Sequence, residues 1–155
     1  MSPARDACHV SMSVPRQWRT HSDPASGAVI AARARQVPAS GFAPELVLRT
    51  TPFDDTGPSS ADWRSHAIAA LATELVAFDL EDTDDYDLGG RPVTYHRFSH
   101  RVRGIDVVCD RWSWLEDTVG VTLTGSVARV DYPDYYDLFE DVAATVEIGG
   151  GLSAA

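Results

Sequence analysis

The stretch from Arg91 to Arg129 constrains this chain more than any other part of it. Three segments rich in strand-forming residues follow one another with only turn-length connections between them. PVTYHRFSH follows Gly89-Gly90, a pair suited to the positive backbone angles of a tight turn, with Arg91 between them, and IDVVCDRWSWLED comes after Arg103-Gly104. VGVTLTGSVARV completes the set, with Val119, Val121 and Leu123 alternating with small polar residues. Strands joined this closely form an antiparallel meander. The middle segment adds a second condition. Ile105, Val107 and Cys109 fall on one parity and Val108, Trp112 and Trp114 on the other, so both sides of that strand are apolar and both need cover.

Two segments can supply the cover. Trp63, Ala67, Leu71 and Leu75 recur every four residues, with Ile68 and Phe78 widening the stripe, while Ser59 and Asp62 suit the start of a helix. Tyr132-Pro133-Asp134 opens a second helical pattern through Tyr135, Leu138, Phe139, Val142, Ala143 and Val146, predicted to run to about Glu147 and stop before Gly149. Upstream, residues 28–33 and 45–51 read as strands, and the turn residues between Pro52 and Ser60 interrupt the sheet. Val10, Met12 and Val14 alternate like a half-buried first strand stopped by Pro15, with Trp18 folding back as a core anchor. The expectation is an α+β domain, an antiparallel β-sheet of about six to seven strands flanked by two α-helices. At 155 residues the chain is one domain's worth, taken as residues 10–148 between flexible ends at 1–9 and 149–155.

Charge narrows the partners. Thirteen basic residues, all arginine, stand against 23 acidic ones for a net −10, and the excess lies in residues 79–155, with 6 arginines and 16 acids. Nucleic acid is a poor partner for such a chain, and a basic protein surface a better one. The densest acidic run, Asp79 to Asp87, fails as a calcium loop: counted from Asp82, the sixth position is Asp87 rather than glycine and the twelfth is Val93 rather than a bidentate acid. It reads as a solvated edge strand whose charges discourage unwanted pairing. No run approaches the length of a membrane span, and MSPARDACHVSMSVP lacks the apolar core of a secretory signal. Cys8 follows Arg5, Asp6 and Ala7 and so makes no lipidation site, which leads to a cytoplasmic expectation. Cys8 and Cys109 are expected as reduced thiols, and neither Cys8 with His9 nor His96, His100 and Cys109 has the paired spacing of a zinc site. No metal or cofactor is expected.

The order of several pieces resembles the PsbP-like fold and, within it, the LpqN/LpqT type of small actinobacterial protein. The pieces are Val14, Pro15 and Trp18, then GFAPELVLRT, the helix from Ala61 to Phe78, LGGRPVTYHRF, the paired tryptophans of DRWSW, VTLTGS and YPDYYDLFEDVAATVEI. Two features depart from the type: its members are usually exported lipoproteins, and they commonly carry asparagine where Glu45 stands here. The resemblance implies an α/β/α sandwich and a non-catalytic binding or assembly role, as in photosystem subunits, a nuclear-transport regulator and chaperones of secreted effectors.

The residues themselves agree with a non-enzymatic reading. There is no Gly-x-Ser-x-Gly elbow, His-Glu-x-x-His, P-loop or dinucleotide fingerprint, and His66, His96 and His100 sit in no recognisable catalytic device. The expected function is a protein-binding module, adaptor or chaperone-like, for a secreted or envelope protein. Tyr95, Phe98, Trp112 and Trp114 are the candidate anchors at an uncovered sheet margin, where alanine at either tryptophan would abolish capture without unfolding the domain. The alternatives are a small-ligand or lipid pocket between helix and sheet, and a homodimer through the same surface.

Overall fold

The computed structural model describes residues 8–23, 28–52, 60–116 and 119–150. Nine strands and two α-helices occur among them, in the order β1 (Cys8–Ser11), β2 (Arg19–Asp23), β3 (Ala28–Arg33), β4 (Glu45–Pro52), α1 (Ser60–Glu74), β5 (Asp79–Leu88), β6 (Arg91–Val102), β7 (Ile105–Glu116), β8 (Val119–Ala128), α2 (Tyr132–Ala144) and β9 (Glu147–Gly150). Strands β2 to β8 form one seven-stranded antiparallel sheet in the order β2-β3-β4-β8-β7-β6-β5. The meander β5 to β8 is continuous, and α1 carries the chain from β4, beside β8, to the far edge where β5 begins. Gly89, Gly90 and Gly104 have positive φ, as their turns require.

Each face of the sheet has its own core, because side chains alternate across it. On one face Leu46, Leu48, Trp112, Trp114, Val121 and Leu123 pack with Phe139, Val142 and Ala143 of α2. On the other, Phe98, Val107 and Cys109 pack with Leu71, Leu75 and Phe78 from α1 and the segment after it. Two glycines of β8 set how closely the helices approach: a Cβ on Gly120 would lie 2.6 Å from the Trp63 indole, and one on Gly125 would lie 2.7 Å from the Phe139 ring. Cys109 is a free, buried thiol whose acidity burial suppresses, lifting its pKa to about 12.

Several expectations are corrected. The apolar stripe through Leu75 and Phe78 outlasts α1, which ends at Glu74: Ala77 takes a positive φ of 56° and the Val76 carbonyl accepts the Arg101 amide at 2.8 Å. Phe78 still reaches the same core, its ring 5.4 Å from that of Phe98. Met12 and Val14 pack on the α2-side core without joining a ladder, since the Ser13 amide donates to the Thr145 hydroxyl at 2.9 Å instead. Helix α2 stops at Ala144, and the residues after it form β9, paired antiparallel with β1 from Cys8↔Gly150 to Ser11↔Glu147. The expected domain boundaries at 10 and 148 therefore fall inside paired strands. Strand β2 carries no apolar period that would predict it and is exposed along its whole length. The expected turn at 53–59 and the tail from residue 151 lie outside the described residues.

A tyrosine-lined acidic groove

On the α2 side, the helix leaves a groove of about 600 Å³ against β5 and β6. Two periodicities build it. Along β5 the period of two puts Asp82, Asp84, Tyr86 and Leu88 on one face, joined by Tyr95 and Arg97 of β6. Along α2 the period of nearly four puts Tyr132, Tyr136, Glu140 and Ala144 in one stripe, with Asp141 beside it, while Phe139, Val142 and Ala143 face the core. The lining thus combines four tyrosines and four carboxylates with one guanidinium. That guanidinium, Arg97, is engaged by Glu81 at 3.3 Å, and Glu81 is also paired with Arg129, which reaches Asp106 at 2.7 Å.

Asp110 of β7 lies beneath the groove and is 2% exposed. Its carboxylate accepts hydrogen bonds from the Tyr95 hydroxyl and from the Tyr132 hydroxyl, the latter at 3.0 Å to Oδ1. Burial raises the Asp110 pKa, against the opposing pull of those two phenols and the Arg97 charge. Burial and the Asp110 charge in turn push both tyrosine hydroxyls upward, so they stay protonated donors at neutral pH. The Trp112 Nε1 donates to the Tyr86 hydroxyl at 2.8 Å, and the Tyr95 ring packs tilted against Trp112, with ring centroids 5.4 Å apart. The groove wall is in this way fastened to the core below it.

The sign of the Asp110 shift makes a prediction. Its native-state value lies above the ordinary aspartate value of about 3.9, so the stabilisation it gives is present below that pH and lost as pH rises through the raised value. Asp110→Asn is neutral and lacks this dependence. Urea denaturation of both proteins is expected to show the variant gaining stability relative to the parent from about pH 4 to pH 7. A constant difference would contradict the shift.

Of the four anchors expected from sequence, the structure places only Tyr95 in the groove. Trp112 is 0% exposed and Trp114 3%, both beneath α2, while Phe98 is buried on the opposite face beside Phe78. The aromatic margin is therefore not uncovered at those three positions. Tyr86, Tyr132, Tyr136 and Glu140 line the groove, with Asp110 beneath it, and none of the five is among the expected residues. Their spacings were visible, but nothing in the sequence states which strands α2 lies beside. Glu45, the departure from the LpqN type, pairs with Arg33 at 2.9 Å on the opposite side of the sheet. Among the described residues no group of three or more His, Cys, Asp or Glu side chains converges as a metal site, and no helix is long and apolar enough to cross a membrane.

The fold is PsbP-like. No family model and no curated protein matches this sequence. Among solved structures, it is similar to LpqN of Mycobacterium tuberculosis, a protein involved in cell envelope biogenesis, at 15% identity and a TM-score of 0.73 over 92% of this chain and 84% of that one. It is also similar to the cyanobacterial PsbP (CyanoP) of Synechocystis sp. PCC 6803, at 10% identity and a TM-score of 0.61 over 92% of both chains. A Pseudomonas aeruginosa protein of unknown function gives 12% identity and a TM-score of 0.64 over 88% of this chain and 95% of that one. At these identities the likeness is one of fold.

Proposed function

We propose that this protein is a non-catalytic binding module, adaptor or chaperone-like, which holds a basic segment of a partner protein in the groove between α2 and β5–β6. The observation that carries this reading is the lining itself. Tyrosine faces attract cations and bury aliphatic stems, and carboxylates on both walls supply the matching charge. An arginine or lysine side chain is the group that uses both features at once. The four carboxylates disfavour a lipid in the same space, since apolar chains would have to desolvate them without compensation. The involvement of LpqN in envelope biogenesis is the reason to look first among secreted and envelope proteins for the partner. A cytoplasmic location, as for a chaperone acting before export, belongs to the same proposal.

Fluorescence anisotropy with a labelled peptide of alternating arginine and aliphatic residues tests it. Binding is expected to weaken about tenfold between about 0.05 and 0.3 M salt, and by a similar factor in the Asp84→Asn/Glu140→Gln double variant. The corresponding glutamate peptide should not bind. Equal binding of the two peptides, or affinity for the arginine peptide unchanged in the double variant, would overturn the reading.

A further inference from the structure

Strand β5 is one end of the seven-stranded sheet, and no described strand lies beyond it. From Asp82 to Leu88 it pairs with β6 without interruption, which leaves an outer edge of about 20 Å, the length of a strand of seven residues. An antiparallel ladder alternates residues that bond the neighbouring strand with residues whose N–H and C=O point the other way. Two observations fix which are which. Asp87 stands opposite Pro92, which has no N–H to donate, and the Thr83 amide donates to the Asp82 carboxylate at 2.9 Å rather than to β6. Both put the main chain of Thr83, Asp85 and Asp87 on the outward side. Among the described residues no main-chain group outside β6 bonds to these three.

The side chains of this edge decide what can lie along it. Asp82 and Asp84 line the tyrosine groove, while Asp85 and Asp87 fall on the opposite parity, beside Arg64 of α1. All four are exposed, and none belongs to an ion pair among the described residues. Carboxylates on an open edge repel an acidic strand, including the same edge of a second copy, and would be desolvated without compensation by a neutral one. A strand with arginine or lysine at every second position meets the reverse. Its main chain closes the open ladder, and its cations stand about 5 Å across from Asp82 and Asp84, the spacing of a cross-strand pair.

We propose that the basic segment is held as an added strand, hydrogen-bonded along β5 at Thr83, Asp85 and Asp87, with alternate side chains entering the tyrosine groove. This inference rests on the groove being the binding site and adds the conformation of its occupant. The partner segment is extended, with cations two residues apart. A helix is excluded as the occupant, because its main chain is already bonded internally and its side chains share a face only every three or four residues.

Anisotropy with the arginine–aliphatic peptide and two analogues, one N-methylated at its arginines and the other at its aliphatic residues, tests the proposal. In a strand only one alternating set of amides faces β5. One analogue is therefore expected to lose at least about tenfold in affinity and the other to stay within about threefold of the unmodified peptide. Loss confined to the aliphatic set means antiparallel pairing, and loss confined to the arginine set means parallel pairing. Equal affinities of the two analogues, both retained or both lost, would overturn the added strand while binding of the unmodified peptide kept the groove reading intact; no binding by any of the three would overturn both. Thr83→Pro removes one outward N–H without altering charge or a groove-lining residue, and an edge strand tolerates proline at such a position. It is expected to weaken the unmodified peptide about fivefold or more at an unchanged melting temperature, and undiminished affinity would count against the strand. If that variant does not fold, the analogue pair decides the question with the protein unaltered. Native mass spectrometry of the chain alone should show a monomer; a dimer that Thr83→Pro abolishes would assign the edge to a second copy and overturn the proposal.

Discussion

Replacement of Trp112 by alanine is expected to destabilise the native state by about 3–5 kcal/mol, the range for deleting a large buried aromatic. Trp112 is 0% exposed, packs between the sheet and α2, meets the Tyr95 ring at a tilt and donates its indole N–H to Tyr86. Alanine therefore leaves a cavity and also removes the hydrogen bond to the Tyr86 hydroxyl. The loss is measurable as a lower denaturation midpoint in urea with little change in slope. Tyr86→Phe provides the comparison, since it removes only the hydrogen bond and should cost about 1 kcal/mol. A Trp112→Ala protein as stable as the parent, defective only in partner capture, would mean that Trp112 is a surface anchor and that its place beneath α2 is wrong.

The second large effect is expected at Gly125, where the obstacle is the opposite one, too much atom rather than too little. A methyl group there would stand 2.7 Å from Cγ and Cδ2 of Phe139, a side chain that is itself 0% exposed in a core where close packing is the rule. Gly125→Ala should cost about 3 kcal/mol or more by displacing α2. Pairing it with Phe139→Leu should recover part of the loss, so that the two changes are strongly non-additive in a double-mutant cycle. Gly149→Ala is the control: nothing lies within 4 Å of its Cβ position, and the change should stay within about 0.5 kcal/mol. Additive losses in the cycle would show that Phe139 does not rest on Gly125.

The elements that were legible in the sequence are those whose residues are buried in a regular pattern. The alternation in VGVTLTGS, the double-sided apolar run of IDVVCDRWSW and the four-residue stripe from Trp63 each report a local period that the fold then uses. Strand β2 was illegible for the converse reason: RTHSD buries nothing, and its ladder with β3 is held by backbone groups that leave no trace in side-chain type. Strand β9 was hidden because Val146 and Ile148 continue an apolar pattern that the helix had already abandoned at Ala144. The groove follows the same logic. Tyr132, Tyr136 and Glu140 have helical spacing, and Asp82, Asp84 and Tyr86 have strand spacing, but their meeting depends on where α2 crosses the sheet. The tryptophan pair was misread as a margin because parity shows which residues share a face without showing which part of that face is roofed.

The small sheet of β1 and β9 has a consequence for anything joined to this domain. Because Cys8 stands opposite Gly150, the start of the first strand and the end of the last lie side by side. Modules fused directly to those two strand ends would therefore start from neighbouring points rather than from opposite poles of the domain.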